Sequence, residues 1–218
     1  MAASPEALGL AMLETDPHAQ RLDRATQLAA VRDALADGAA TALALRQRFP
    51  DLAPQEIARE LCLPIEMSDD NPLVGSLWRF AEYQQRPGRI LLYRRGLAPL
   101  DHAIAGRLAL RLLGQATPHD VFIAHELYHH AEATRSETPI ARRYQPTLFR
   151  IGGWHWRTGI AALAEIAAGA FAQALLDLPC HPRALDLVAR EAIASNAEAA
   201  RNAATDQMNG DAGRKPMP

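Results

Sequence analysis

The feature that most constrains this chain is a helix start leading into two histidines four residues apart. Thr117 is placed to act as an N-cap, Pro118 fills the first helical position and Asp120 the third, a capping box with Asp in place of Glu. The helix runs through Val121-Phe122-Ile123-Ala124 into His125-Glu126-Leu127-Tyr128-His129. Histidines four apart on a helix are separated by about 40° around the axis and about 6 Å along it, so both imidazoles can converge on one ion. Glu126 lies about 60° around from His129, close enough to bond a metal-held water without being a ligand. Zinc lowers the pKa of its bound water to about 7, and a neighbouring carboxylate can take the proton as that water attacks a carbonyl carbon. This is the hydrolytic chemistry that H-E-x-x-H encodes.

Two other readings of the same residues are weaker. A chain of this length with eight histidines shows HExxH by accident in roughly two cases per hundred. An accidental match would leave solvated histidines on a surface helix, whereas this one sits in a capped, largely apolar helix where imidazoles and a carboxylate need partners. Glu126-x-x-His129 is also the pair used by di-iron bundles, but those need a second Glu-x-x-His, and no other glutamate of the chain has a histidine three residues on.

A catalytic zinc takes three protein ligands and leaves a fourth position for water, so a third donor should lie elsewhere. Glu165 is the first choice. It is the only charged side chain between Arg157 and Asp177, in a helix offering Ile160, Leu163, Ile166, Phe171, Leu175 and Leu176 for burial. An ionised carboxylate buried there would be costly without a metal or a cation; the alternative is that Glu165 lies on a solvent stripe of an alanine-rich helix or pairs with an arginine such as Arg157. Glu132 competes from the same helix face as His125, although three ligands on one straight helix enclose an ion poorly. His130 points about 100° away from His129 and reads as a supporting or surface group. His155 and His181 could be ligands from elsewhere in the chain, although plain loop histidines are the favoured reading of each.

The two blocks together are specific. Ala124-His125-Glu126-Leu127-Tyr128-His129-His130, followed by Glu165-Ile166-Ala167-Ala168-Gly169-Ala170-Phe171-Ala172 and Leu175-Leu176, resembles the ImmA/IrrE-type zinc metallopeptidases. The second block there typically reads E-x-E-A-N-x-F-A. The resemblance covers roughly residues 55 to 180. It implies His125, His129 and Glu165 as zinc ligands, Glu126 as general base, and a regulatory protein such as a repressor as substrate. The chain departs from the pattern twice: Ala167 replaces a frequent acidic residue, and Gly169 stands where Asn or Asp is common. The second change removes a side chain that could orient a ligand, and such losses weaken metal binding.

A further donor is needed to stabilise an oxyanion. Tyr144, His155, Arg157 and Tyr128 are the candidates, and the segment from Arg142 to Arg157 is positioned between the two ligand helices to form one wall of a cleft. Trp154 and Trp156 would give that wall apolar area, with plain packing the expected role of at least one.

Around these blocks the chain reads as α+β, mostly helical, with a small antiparallel sheet preceding the HExxH helix: a minimal metallopeptidase domain. Residues from Ala19 to Arg48 have helical periodicity interrupted at Asp37-Gly38, which predicts two helices. Gln55 to Leu61 forms a short helix stopped by Pro64. Ile65–Ser68, Leu77–Tyr83 and Arg89–Tyr93 read as strands. Helical periodicity returns from Pro99 to Leu113, residues 132–158 read as irregular or a hairpin, Gly159–Leu176 as a buried helix and Arg183 to about Ala204 as a last amphipathic helix. The expected organisation is an N-terminal helical segment, 1–50, packed on a metallopeptidase domain, 51–207, with a disordered tail, 208–218.

Composition matters chiefly for what it excludes. The net charge of −2 gives no electrostatic footprint for nucleic acid. A helix-turn-helix reading of Ala40 to Leu63 is outweighed by its acidic residues and lack of a basic cluster. Cys62 and Cys180 are in no metal or disulfide spacing. The N-terminus lacks a secretory pattern, and the alanine-rich 159–176 stretch contains Glu165, so neither export nor membrane insertion is expected. The sequence predicts a cytoplasmic enzyme with Zn2+ as cofactor and a protein or peptide as partner. The second reading is a zinc-stabilised regulatory or binding module without turnover.

Overall fold

A computed structural model describes residues 4–75, 77–104 and 107–183, together with 185 and 188. The first helix, α1 (Pro5–Leu13), starts by the same chemistry as the HExxH helix: the Ser4 hydroxyl accepts from the Ala7 N–H, and Pro5 follows it. Helical periodicity predicts no helix before Ala19, so this one is an addition to the expected elements. Helix α2 (Arg24–Arg48) is capped by Asp23, whose carboxylate accepts from Thr26 N–H at 2.8 Å.

Helix α2 continues unbroken through Asp37-Gly38, where the sequence predicts a break. A Cβ on Gly38 would run into the carbonyl oxygen of Ala167, on the helix that carries Glu165. The glycine is there to let two backbones touch, and its helix-breaking tendency, about 1 kcal/mol, is overridden by that packing.

Helix α3 (Pro54–Glu60) is followed by β1 (Ile65–Ser68), β2 (Leu73–Val74), β3 (Leu77–Trp78), β4 (Ala81–Gln85) and β5 (Gly88–Tyr93). The main sheet has the order β1-β5-β4. Its hairpin β4–β5 is antiparallel, with Tyr83 opposite Ile90, but β1 runs parallel to β5, with Ile65 opposite Ile90. The sheet is therefore mixed rather than wholly antiparallel. The small β2–β3 hairpin stands between β1 and β4 in the chain and lets β4 arrive on the far side of β5. Ile90 to Tyr93 are buried, as suits a central strand, and β4 is an edge.

Helix α4 (Arg94–Ala103) begins earlier than expected and runs through Pro99; α5 (Arg107–Leu113) and α6 (Pro118–Thr134) follow. Thr117 caps α6 as the sequence predicts, its hydroxyl accepting from Asp120 N–H while the Asp120 carboxylate accepts from Thr117 N–H. The segment after it holds α7 (Ile140–Arg143) and a hairpin of β6 (Thr147–Ile151) and β7 (Trp154–Arg157), leading into α8 (Ala161–Leu176). Asp177, in the left-handed region at φ 50, ends α8. The predicted helix from Arg183 lies outside the described residues except for 183, 185 and 188, as does the tail.

The core is built on α8. Leu163, Ile166, Phe171 and Leu175 are buried against α2 and α6, each contributing about 1.5–3 kcal/mol of burial, and Ala167 and Ala168 let those helices approach. One buried acid ties the same elements together. Asp37 on α2 accepts from Tyr128 Oη at 2.8 Å, from Arg135 at 2.9 Å and from Arg143 at 2.6 Å, joining α2, α6 and α7. The fold is α+β and mostly helical. Among the described residues no helix is long and apolar enough to cross a membrane.

Candidate metal centre

The capped start of α6 sets the rotation of everything downstream, so His125 and His129 leave the helix on one side. Helix α8 packs across that side and brings Glu165 between them. His125 Nε2 lies 3.1 Å from Glu165 Oε2, His129 Nε2 lies 3.5 Å from Glu165 Oε1, and the two Nε2 atoms are 3.2 Å apart. Donors about 2.1 Å from a tetrahedral zinc are separated by about 3.4 Å, so these spacings fit a His2Glu site. Among the described residues this is the one group of three such donors that converges.

The charges around the cluster suit a cation. Burial, and then the positive charge of His125, push the His129 imidazole down to about 4. Burial alone would raise the Glu165 carboxyl, although half of its side chain is open to solvent. The hydrogen bond and charge of His125, joined by His129 and Arg183, outweigh burial and hold it at about 2. At neutral pH the site therefore offers a neutral His129 imidazole and an ionised carboxylate.

Glu126 is buried, and burial pushes its carboxyl up to about 7, aided by the charge of Glu165 and opposed by that of His125. It is held by a donor the sequence does not announce. Tyr83 N–H, on the outer side of edge strand β4, donates to Glu126 Oε2 at 2.7 Å. Any residue other than proline supplies a backbone N–H, so no residue type marks the position. The Tyr83 hydroxyl in turn contacts His130 Nδ1 at 3.2 Å, which accounts for His130 as a supporting group.

Among the described residues, the structure does not bring the remaining candidates to the cluster. Glu132 accepts from Ile140 N–H and stands beside Arg135, so it organises the end of α6. Tyr144 Oη donates to Asp33 at 2.6 Å, and Tyr128 Oη donates to Asp37. Arg157 is exposed at the end of β7; the side chain of His155 lies outside the described residues. His181 is buried, and its ring lies against Gly169: a Cβ on that glycine would stand 2.7 Å from His181 Cε1 and 2.9 Å from Nε2. The space a side chain would occupy at position 169 is thus filled by an imidazole. His181 Nδ1 accepts from Arg183 N–H at 3.1 Å, which leaves the ring's proton on Nε2.

Comparisons with protein-family models, with curated proteins and with solved structures found no match.

Proposed function

We propose that the protein is a zinc-dependent endopeptidase of the ImmA/IrrE type, acting in the cytoplasm on a regulatory protein. The observation that carries this reading is the convergence of His125, His129 and Glu165 beside a buried Glu126 anchored by Tyr83 N–H. Zinc bound by such a donor set acidifies water and polarises a carbonyl.

Glu126 would do the proton work. A buried carboxyl beside a metal-held water can accept its proton and return it to a leaving amine. The Tyr83 N–H fixes one carboxylate oxygen and leaves the other for that exchange. His129, neutral across the physiological range, presents a lone pair rather than a competing proton.

The second reading is a zinc-stabilised regulatory protein without turnover, favoured by Gly169, which carries no side chain to orient a ligand and is backed by the His181 ring instead. The Glu126→Gln variant separates the two. On the peptidase reading, zinc stays stoichiometric while hydrolysis of an unfolded protein falls by at least about 100-fold. Wild-type protein that binds zinc and hydrolyses no peptide would favour the regulatory module.

A further inference from the structure

The β6–β7 ribbon exposes more apolar surface than a solvated hairpin requires. Phe149 pairs with Trp156 and Ile151 with Trp154 across the ladder, so all four side chains share one face. They are 51%, 62%, 69% and 85% exposed in that order, and the Phe149 and Trp156 rings stack at 5.8 Å. Large apolar groups gathered on one exposed face mark an interaction surface.

The charge of the segment says what kind of partner fits. From Thr138 to Ala164 the chain contains no Asp or Glu, in a protein whose net charge is −2. Arg150 and Arg157 are exposed and make no ion pair among the described residues. Both lie on the face opposite the aromatic one, by strand alternation. Among the described residues the two strands pair only with each other, so β7, and β6 beyond Leu148, have outer edges with backbone donors and acceptors for an extended chain. Arg21 anchors the start of β6 through the carbonyls of Thr147 and Leu148, and only Thr158 to Ile160 separate β7 from the helix of Glu165.

We infer that this ribbon is the docking site for an extended, acidic segment of a protein that also carries aromatic or aliphatic side chains. The apolar groups rest on the Trp154–Trp156 face, and the acidic ones pair with Arg150 and Arg157. The choice of a protein over a lipid or nucleic-acid polyanion rests on the peptidase reading, with the open strand edges in its favour.

The test measures binding of the full chain to a fluorescent random copolymer of glutamate and tyrosine, beside a copolymer of lysine and tyrosine, phosphatidylserine vesicles and oligothymidylate. The glutamate–tyrosine polymer should bind at least about tenfold more tightly than the other three. The Trp154→Ser/Trp156→Ser and Arg150→Glu/Arg157→Glu variants should each lose at least about tenfold, with unchanged melting temperature and zinc content. Equal binding of the lysine polymer, tighter binding of vesicles or oligothymidylate, or full binding by both variants would overturn the proposal. Glu126→Gln should bind like wild type, because docking needs no hydrolysis. Ribbon-dependent binding without any cleavage by wild type would sink the peptidase reading alone; cleavage of unfolded protein with ribbon-independent binding would sink the docking site alone.

Discussion

Tyr83 and Glu126 meet through the backbone of one and the side chain of the other, at 2.7 Å, where the edge of the sheet reaches the middle of α6. The contact gives the buried carboxyl its single fixed orientation. It also makes the sheet part of the site, although none of the three converging donors comes from it.

Burial of Glu126 has a measurable signature in the metal-free protein. Its carboxyl titrates near 7 in the fold against an ordinary value of 4.5, so between those pH values the folded chain holds a proton that the unfolded chain has released. Stability contributed by this group is complete below about 4.5 and is lost as pH rises through 7. Glu126→Gln removes the effect, so the variant should gain on wild type across that window, by on the order of 3 kcal/mol at the top. Denaturant midpoints of both proteins from pH 4 to 8 give the difference; parallel curves would mean the carboxyl is not buried as described.

Loss of Glu165 should be felt by the metal before the fold. The side chain is half exposed at the cluster, so Glu165→Ala costs little packing but takes away one of three donors. Zinc affinity should drop at least about 100-fold, beyond the usual effect of losing a group behind a ligand. Metal analysis after dialysis against a weak chelator reads this out, and stoichiometric zinc in the variant would show that the third donor is another residue.

Alanine at a helical glycine normally stabilises, and Gly38 should invert that sign. Its missing Cβ is where α2 rests on the Ala167 carbonyl, so Gly38→Ala must push the two helices apart. A loss of about 1–3 kcal/mol is expected, about 2–12 °C in melting temperature for a chain of this size. A variant as stable as wild type would mean the helices do not approach this closely.

Gly169 and His181 should behave as one unit. Because the imidazole occupies the room beside the glycine, Gly169→Asn alone should destabilise, and His181→Ala alone should leave a cavity. Together the two changes should cost less than their sum by about 0.5–3 kcal/mol. Simple additivity in a double-mutant cycle would rule out the packing, and zinc affinity along the cycle would show whether the new side chain also steadies the cluster.

These contrasts explain which features can be read directly from the residues. The cap at Thr117 and the spacing of His125 and His129 are local, so chemistry within one or two helical turns determines them. Glu165 is readable because a lone acid in an apolar helix needs an explanation. Gly38 misleads because a helix breaker and a site of close approach are the same residue, distinguished only by what lies across from it. The parallel pairing of β1 with β5 depends on which edge a distant strand reaches, and the Tyr83 donor is a backbone atom; neither leaves a mark on residue type. Helix α4 accommodates Pro99, a residue that normally ends a helix, for a reason the packing does not supply.

The seating of Gly38 on Ala167 also bears on the order in which the molecule can assemble. These residues are separated by most of the chain, and closing so long a loop carries a large entropic cost before any contact rewards it. Helix α1 can pack on α2 early, while the face of α2 at Gly38 waits for α8. Glu165 rides on α8, so the helix that closes over α2 is the same one that brings the third donor to His125 and His129 on α6. A metal ion held by those donors would fasten α8 to α6, and so steady the surface against which α2 closes.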